Sequence, residues 1–449
     1  MTGRELLEHL CSPRAAELLS TLYGGGELEP ARQRYQGLVE GLLDESLFPR
    51  RDYPEAAGAL RVFSVPGRSE LGGNHTDHNR GKVLAASIQL DAVAVVAPRQ
   101  DKQIFLRSAG HPSVKIDISD LSIREDERGK PDALVRGVAA EFAAGGTAVG
   151  GFTANIDSLV LNGSGLSSSA AVEVLFGKIF DSLYGGGKRS ALELARIGQK
   201  AENLYFGKPC GLMDQTACAF GGAVAIDFQD AQAPRVRGIS FDPAAAGFAL
   251  CIVDSKGSHA DLTPDYAAIP AEMKAAAAFF GKTVLRELNE EAFMGRVPDL
   301  RKALGDRAVL RALHFFNENR RVDAMLAAIE GKAMDTFLAL VNESGDSSWQ
   351  LLQNIYSPKN PAEQGLGLAL ALTKDFLKAS GGAAGGGACN GKHHGACRVH
   401  GGGFAGTIQT YLPIDRLEDY RKLMEDVFGK GALTVLRIRP VGATELVFN

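Results

Sequence analysis

A glycine-rich loop that leads into three serines is the feature of this sequence that points most directly to chemistry. The stretch is Leu161-Asn-Gly-Ser-Gly-Leu-Ser-Ser-Ser-Ala-Ala171, and the apolar spacing after it predicts an amphipathic helix closed by Gly185. Glycines let the backbone approach a ligand, and hydroxyls and amides at the positive end of a helix dipole suit a phosphate. A capped helix start without a ligand is the alternative. The loop is not a Walker A sequence, because no lysine follows its second glycine.

Two further glycine-rich segments carry polar side chains or open backbone. Pro66-Gly-Arg-Ser-Glu-Leu-Gly-Gly-Asn-His-Thr-Asp-His-Asn-Arg-Gly81 lies between two predicted strands and is dense in hydrogen-bonding groups. That density suits a polyhydroxylated ligand, and a solvated hairpin loop is the alternative. His400-Gly-Gly-Gly-Phe-Ala-Gly406 leads into a predicted strand and permits close backbone approach.

An acidic residue lies between the second and third of these segments along the chain. Cys210-Gly-Leu-Met-Asp-Gln215 follows the predicted helix that carries Glu202, and it places Asp214 among small and apolar residues. A carboxylate in such surroundings needs a partner, and a buried, paired aspartate is a candidate general base. A structural helix cap is the alternative for Asp214.

The elements that must position these motifs predict an α+β protein. Residues 1–60 are predicted to be helical. Strands are predicted over residues 61–65, 83–88, 92–96, 104–107, 114–118, 152–161, 223–228, 248–253, 407–411 and 433–439. Helices are predicted over residues 134–142, 192–206, 270–280, 308–330 and 336–352. Helices and strands mix without a strict βαβ rhythm, which is typical of the α+β class.

The length of 449 residues favours two domains. Near residues 244–247 the sequence passes from small residues to an apolar predicted strand, and this change predicts the boundary between the two domains. It separates residues 1–245, with a helical N-terminal extension, from residues 246–449.

Composition restricts the class of partner. The net charge of −4 gives no electrostatic footprint for nucleic acid, and no apolar run approaches membrane-spanning length. The N-terminus begins as an amphipathic helix with acidic residues and does not resemble a signal peptide. Six cysteines without framework-like spacing predict reduced thiols and a cytoplasmic protein.

A cluster of cysteines and histidines near the C-terminal glycines can be interpreted in two ways, as a zinc site or as a polar loop. Cys389, His393, His394, Cys397 and His400 fall at zinc-like intervals. The many glycines around them make a loose frame and the spacing fits no standard zinc finger, so a flexible polar loop is the favoured interpretation.

The motifs in their order (PGR…HTDHN, GSGLSSSAA, CGLMDQ and GGGFAGT) resemble the galactokinase branch of the GHMP small-molecule kinases. The resemblance runs from about Val62 to the C-terminus. It implies an N-terminal domain like ribosomal protein S5, a ferredoxin-like C-terminal domain, and ATP and a sugar held between them. It also implies phosphorylation of the anomeric C1 hydroxyl, by a protein that we expect to be a monomer without nucleic-acid or membrane partners.

The same resemblance implies roles for particular residues. Asp214 would accept the proton of the sugar hydroxyl, and Arg68 would stabilise the aspartate and the charge on the transferred phosphoryl group. Ser169 and Glu202 would hold Mg²⁺, which takes oxygen ligands. The ATP phosphates would be wrapped by Gly163, Ser164, Gly165, Leu166, Ser167, Ser168 and Ser169. The sugar would be lined by Asn74, His75, Asp77, the Gly211 amide and Tyr266.

The sequence departs from the family pattern at the sugar. Asn74 stands where the family has an acid, His78 replaces a tyrosine, and residues 69–73 read Ser-Glu-Leu-Gly-Gly in place of Val-Asn-Leu-Ile-Gly. Galactose is the first expectation, and galacturonate, arabinose and N-acetylgalactosamine are alternatives. A non-catalytic sugar sensor on the same fold is an alternative of another class. Such a sensor does not need Asp214, Arg68 and an unbroken serine loop together.

Overall fold

The computed structural model describes residues 1–49, 59–108, 110–160, 165–258, 262–379 and 394–448. Helices α1–α14 span Gly3–Leu10, Pro13–Tyr23, Leu28–Leu43, Pro131–Ala144, Ser168–Tyr184, Ala191–Lys200, Met213–Phe220, Thr263–Phe279, Glu290–Gly295, Val297–Leu304, Asp306–Glu330, Met334–Ser347, Gly365–Ala379 and Leu417–Phe428. Strands β1–β12 span Arg61–Gly72, Lys82–Pro98, Gln103–Ser108, Val114–Asp117, Phe152–Ser158, Ala223–Asp227, Arg235–Ile239, Phe248–Asp254, Ala396–Val399, Thr407–Pro413, Leu433–Leu436 and Thr444–Leu446.

The strands form two sheets. The larger has the order β12-β1-β2-β5-β3-β4, and β6 pairs with both β2 and β7. All of its pairs are antiparallel except β3 with β5. The smaller sheet has the order β11-β8-β10-β9 and is antiparallel throughout. Mixed helices and mainly antiparallel sheets confirm the predicted α+β class. The division at residue 245/246 stays a prediction, and the end of the chain returns to the larger sheet through β12.

The main apolar core lies between the larger sheet and α4–α7, the helices that carry or adjoin the serine loop, Glu202 and Asp214. One face of the smaller sheet packs against α13 and α14, and its other face joins the main core together with residues of α12. Residues from α8–α11 form a separate apolar cluster that also contains Leu352 and Phe404. Phe404 belongs to the third glycine-rich segment, so this segment packs on the apolar cluster formed by α8–α11.

The predicted helical N-terminus is present as α1–α3, which pack on β1 and β2. Asp91 of β2 is fully buried and accepts hydrogen bonds from Arg34 at 2.6 Å, Arg439 at 2.9 Å and Tyr23 at 2.6 Å. A buried carboxylate with two guanidinium partners ties the extension to the sheet and to the C-terminal segment, because breaking such a set leaves uncompensated charge. The extension is therefore an integral part of the fold.

Strand β1 is longer than the sequence predicts, and the reason matters for the site. The expected strand ended at Val65, before Pro66-Gly67, but β1 continues to Gly72 with register shifts between Pro66 and Arg68 and between Glu70 and Gly72. A bulge accommodates the proline and bends the strand. A Cβ at Gly67 would lie 2.8 Å from the Leu166 carbonyl. Glycine is therefore needed for β1 to approach the serine loop.

Two predicted helices end in π-helical segments. The helix expected over residues 192–206 is α6 followed by a π-helix at Ala201–Phe206, and the one expected over 336–352 is α12 followed by a π-helix at Ser348–Leu352. Such segments are frequent at functional sites. Among the described residues, no helix has both the length and the apolar character needed to cross a bilayer.

Candidate active site

Asp214 lies in the first turn of α7 and is paired on both carboxylate oxygens. Its Oδ1 accepts from Arg68 Nε at 2.9 Å and lies 2.8 Å from Arg68 Nη2, while its Oδ2 accepts from the Ser167 hydroxyl. Burial acts to raise the pKa of Asp214, but the Arg68 guanidinium and the Ser167 hydroxyl outweigh it and lower this pKa. The Asp214 side chain is 34% exposed and that of Arg68 only 6%. Asp214 is thus an ionised carboxylate whose free face is open to a ligand.

Arg68 connects three elements. It lies on β1 just after the bulge, its Nη1 donates to the Gly165 carbonyl, and its backbone N–H donates to the Leu166 carbonyl at 3.1 Å. Desolvation opposes its charge, but Asp214 and Glu70 raise the pKa of Arg68. One buried guanidinium therefore holds the serine loop and the aspartate at a fixed separation.

The described part of the serine loop has the geometry of a phosphate cradle. Gly163 and Ser164 lie outside the described residues. Gly165 has φ 71°, and Ser167 takes the left-handed conformation with φ 63° before α5 begins at Ser168. The N–H groups of the first turn of a helix lack partners within the helix and favour anions. Leu166 is buried, so only its backbone is available to a phosphate.

Ser169 and Glu202, the predicted metal ligands, are neighbours. Ser169 Oγ donates to Glu202 Oε1 at 3.2 Å, and the Glu202 side chain is 3% exposed. Hydroxyl and carboxylate oxygens are the donor types that Mg²⁺ takes, usually with few protein ligands and with substrate phosphates completing the shell. Among the described residues, no group of three or more His, Cys, Asp or Glu could hold a metal. The pair fits a phosphate-bound Mg²⁺ better than a metal held by protein alone.

Asp77 and Gly211 meet at the predicted sugar side. A Cβ at Gly211 would lie 1.7 Å from Asp77 Oδ2, so only glycine allows this approach. Asp77 Oδ1 accepts from the His78 backbone N–H at 2.9 Å. Gly211 precedes the base candidate Asp214 by three residues, so the Asp77 carboxylate contacts the segment that leads into α7.

His75 and Tyr266 both bind the third glycine-rich segment. His75 Nε2 donates to the Gly402 carbonyl at 2.9 Å, and burial lowers the pKa of His75 to about 3, so the ring is neutral. The Tyr266 hydroxyl donates to the Gly403 carbonyl at 2.9 Å. A Cβ at Gly402 would lie 2.6 Å from the Tyr266 ring. These contacts bring residues 401–403 against both side chains predicted to line the sugar.

Asn74 is fully buried, and its side-chain amide is fully used within the protein. Its Nδ2 donates to Glu70 Oε1 at 3.2 Å and to the Gly401 carbonyl at 2.8 Å. Its Oδ1 accepts from Ser348 Oγ at 3.3 Å and from Asn354 Nδ2 at 3.0 Å. A primary amide has two donor hydrogens and two acceptor lone pairs. A sugar contact through Asn74 stays a prediction, and it requires that one of these bonds be exchanged.

Several residues of the site were not singled out from the sequence. Glu70 of β1 forms a buried ion pair with Arg398 of β9, joining the two sheets directly beneath Asn74. Lys208 pairs with Glu202 at 3.1 Å. The sequence shows a charged residue in or beside each motif, but it does not show which residues pair. Glu70 and Arg398 are 328 residues apart, and only the fold brings them into contact. Arg80, at the end of the first glycine-rich segment along the chain, pairs with Glu287 at 3.2 Å.

The cluster of cysteines and histidines is only partly described. Cys389 and His393 lie outside the described residues. Cys397 is buried in β9, and His400 hydrogen-bonds with Ser69 Oγ and Thr407 Oγ1, both at 3.1 Å. His400 also lies 3.2 Å from the position of a Cβ on Gly165. Of the described members, His400 therefore lies at the junction of the sheets and the serine loop, Cys397 lies in the apolar core of the smaller sheet, and His394 is exposed.

Comparisons with known proteins agree with this geometry. Residues 133–222 match the family model for the GHMP kinases N terminal domain, and residues 50–98 match the galactokinase galactose-binding signature. The chain is 32% identical over 387 residues to the galactokinase of Streptomyces coelicolor, covering 84% of this chain and 91% of that protein. It is 30% identical over 378 residues to the galactokinase of Mannheimia succiniciproducens, covering 83% and 90%.

Solved structures show the same fold. Lactococcus lactis galactokinase complexed with galactose superimposes with a TM-score of 0.71 at 24% identity, covering 87% of this chain and 96% of that one. The mevalonate kinase of Methanococcus jannaschii gives a TM-score of 0.59 at 14% identity, covering 85% and 99%. The expected GHMP kinase fold is confirmed.

Proposed function

This chain belongs to the galactokinase family of GHMP kinases, and we propose that it transfers the γ-phosphoryl group of ATP to the C1 hydroxyl of galactose. The observation that carries this proposal is the Arg68–Asp214–Ser167 cluster. It joins β1, the serine loop and α7 at one point, with Asp77 and Gly211 beside it. A carboxylate that is ionised, fixed and open on one face is what deprotonation of a sugar hydroxyl requires.

In this reaction the C1 oxygen bonds to the γ-phosphorus while the bond from that phosphorus to the ADP oxygen breaks. The hydroxyl proton passes to Asp214. Because Arg68 lowers the pKa of Asp214, the aspartate is a weak base, and proton transfer accompanies bond formation late in the step. Phosphoryl transfer depends mainly on positioning and charge stabilisation, which suits this arrangement. Arg68 faces the developing charge as well as the aspartate.

Ser169 and Glu202 are the residues we assign to Mg²⁺. When bound, the ion neutralises charge on the β- and γ-phosphates of ATP. The first turn of α5 and the backbone of residues 165–167 contribute N–H groups on the same side. The chain's own residues therefore orient the triphosphate toward Asp214.

Asn74 is the observation that favours a second candidate substrate, galacturonate, because a neutral amide does not repel a carboxylate at C6. A carboxylate nevertheless remains: Glu70 lies 3.2 Å from the Asn74 amide and is held by Arg398. The positive charge nearest to that position is thus already neutralised. Galactose fits these surroundings better than a uronate does.

The sequence also predicted a cytoplasmic monomer, and both points stay predictions. Every cysteine that the structure describes is a free thiol, which agrees with a reducing compartment. The sugar and ATP are the small-molecule partners that the family implies.

The proposal is tested by ATP-dependent ADP release with a panel of galactose, galacturonate, arabinose, glucose and N-acetylgalactosamine. We expect the highest kcat/KM for galactose, with the product identified as the C1 phosphate by ³¹P and ¹H NMR. A sugar sensor would bind galactose by calorimetry but release no ADP above background. A higher kcat/KM for galacturonate would move the assignment to the second candidate.

A further inference from the structure

Lys208 lies at the predicted metal position without being part of any motif. Its Nζ donates to Glu202 Oε1 at 3.1 Å, and Ser169 Oγ donates to the same oxygen at 3.2 Å. The Lys208 backbone N–H also donates to the Glu202 carbonyl at 3.1 Å. Both ends of Lys208 are therefore tied to the residue assigned to Mg²⁺.

Glu202 needs a compensating cation because it is buried and a second carboxyl group, that of Glu173, lies nearby. Gln215 Nε2 bridges Glu202 Oε2 at 3.1 Å and Glu173 Oε2 at 3.0 Å, so a second buried carboxyl group lies on the far side of one amide. Burial and the charge of Glu202 raise the pKa of Glu173 well above its usual range. In this local set the Lys208 ammonium is the cation that compensates Glu202.

The two side chains differ sharply in exposure. The Glu202 carboxylate is 3% exposed, whereas the Lys208 side chain is 62% exposed. An exposed lysine gains little from one ion pair and has a flexible stem, so it can leave at small cost when another cation takes its place at Glu202. The carboxylate stays in place while its cation can be exchanged.

We propose that Lys208 fills the divalent-cation position at Glu202 in the nucleotide-free protein, and that Mg²⁺ with ATP displaces its ammonium onto the triphosphate. This inference rests on the proposed function, through the assignment of Ser169 and Glu202 to the metal. Mg²⁺ binds oxygen at about 2.0–2.1 Å, so it cannot share Oε1 with an ammonium without strong repulsion.

The exchange makes metal and nucleotide binding depend on each other. A metal ion alone must expel a positive charge that then has no anion to approach. When ATP is present, its phosphates supply that anion, and each ligand strengthens the binding of the other. Lys208 thus disfavours binding of the metal without its nucleotide.

The test measures Mn²⁺ binding by electron paramagnetic resonance, with and without the non-hydrolysable nucleotide AMP-PNP. Without nucleotide, we expect Lys208→Met to bind Mn²⁺ about 3- to 10-fold more tightly than the wild type, because the competing charge is gone. With AMP-PNP bound, we expect this advantage over the wild type to disappear, because the wild-type ammonium then has the phosphates as its anion. Both measurements are repeated with Lys208→Gln, whose side chain is neutral but polar, so that poor folding of the methionine variant does not leave the proposal untested.

Lys200→Met is the matched control. Lys200 has a similarly exposed side chain, 58%, on the same stretch of chain, but it pairs with Glu141 at 2.7 Å. It loses the same charge and should leave both affinities unchanged. An equal shift in the control would refute a local role for Lys208 and indicate a net-charge effect.

Unchanged or weaker Mn²⁺ binding by folded Lys208→Met and Lys208→Gln overturns the inference. Glu202→Gln separates this failure from failure of the metal assignment. If Glu202→Gln weakens nucleotide-dependent Mn²⁺ binding while the Lys208 variants change nothing, only the role of Lys208 is refuted. If Glu202→Gln also changes nothing, the assignment on which both depend is wrong.

Discussion

The substitution Asn74→Glu is expected to destabilise this protein, although it restores the residue type that the galactokinase pattern has there. In the structure, Asn74 Nδ2 donates to Glu70 Oε1 at 3.2 Å and to the Gly401 carbonyl at 2.8 Å, and the whole side chain is buried. A glutamate at 74 would place a second carboxylate against Glu70. It would also leave the Gly401 carbonyl without its donor.

The size of the effect follows from these distances. Two like charges about 4 Å apart repel by about 4 kcal/mol at an effective dielectric constant of 20. Arg398, paired with Glu70, offsets part of this repulsion, and the lost donor adds about 1 kcal/mol. We expect the free energy of unfolding to fall by about 2–4 kcal/mol, which for a chain of 449 residues is roughly 2–4 °C in melting temperature.

The pH dependence of this loss has a definite sign. Burial already raises the pKa of Glu70, although Arg398 opposes the shift. A second carboxylate raises the folded-state pKa of the pair further above its unfolded value. The penalty is therefore present at high pH and is relieved as the pH falls through the raised pKa, so the deficit against wild type should shrink between pH 8 and pH 5.

Thermal unfolding at both pH values, with Asn74→Gln as a neutral control, measures this prediction. The double variant Glu70→Gln/Asn74→Glu should be more stable than either single variant. Glu70→Gln leaves Arg398 buried without a carboxylate, and the new glutamate can take that place. Additive losses in the double variant, or a deficit in Asn74→Glu that does not change with pH, would refute this reasoning.

Three further substitutions test the site. Arg68→Met should lower kcat more than it lowers galactose affinity. Because Arg68 lowers the pKa of Asp214, the acid limb of the pH profile of kcat should also move to higher pH. A change in KM alone would contradict this role. Gly211→Ala should raise the KM for galactose about tenfold or more and leave the KM for ATP unchanged, since its Cβ would displace the Asp77 carboxylate; unchanged galactose kinetics would remove this contact from the sugar site. Glu202→Gln should raise the half-saturating Mg²⁺ concentration about tenfold before galactose affinity changes, and an identical Mg²⁺ titration would count against the metal assignment.

Local patterns in the sequence were sufficient to predict most of the elements. Helical spacing predicted the helix that follows the serine loop and is closed by Gly185, which is α5, and alternation predicted strand β8 within one residue of its observed end. Patterns failed where tertiary packing outweighs them. Nothing local indicates that β1 continues through Pro66-Gly67, because the extension is stabilised by β2 and by the serine loop.

The candidate site was predictable as residue types but not as a network. The resemblance to galactokinases named Asp214, Arg68 and Ser169, and the structure pairs Asp214 with Arg68 and Ser169 with Glu202. The charge arrangement beside Asn74 was not predictable, because it pairs Glu70 with Arg398, 328 residues further along the chain. Sequence reasoning treated Asn74 as the loss of an acid, whereas the structure shows that a carboxylate remains beside it.

The central claim is that Asp214 accepts the proton as this protein phosphorylates galactose at C1. The direct test compares Asp214→Asn with the wild type by the rate of galactose 1-phosphate formation and by calorimetric galactose binding. The asparagine keeps the shape and cannot take the proton, so kcat should fall by about two to four orders of magnitude with binding largely retained. Near-normal turnover in the folded variant would contradict the account.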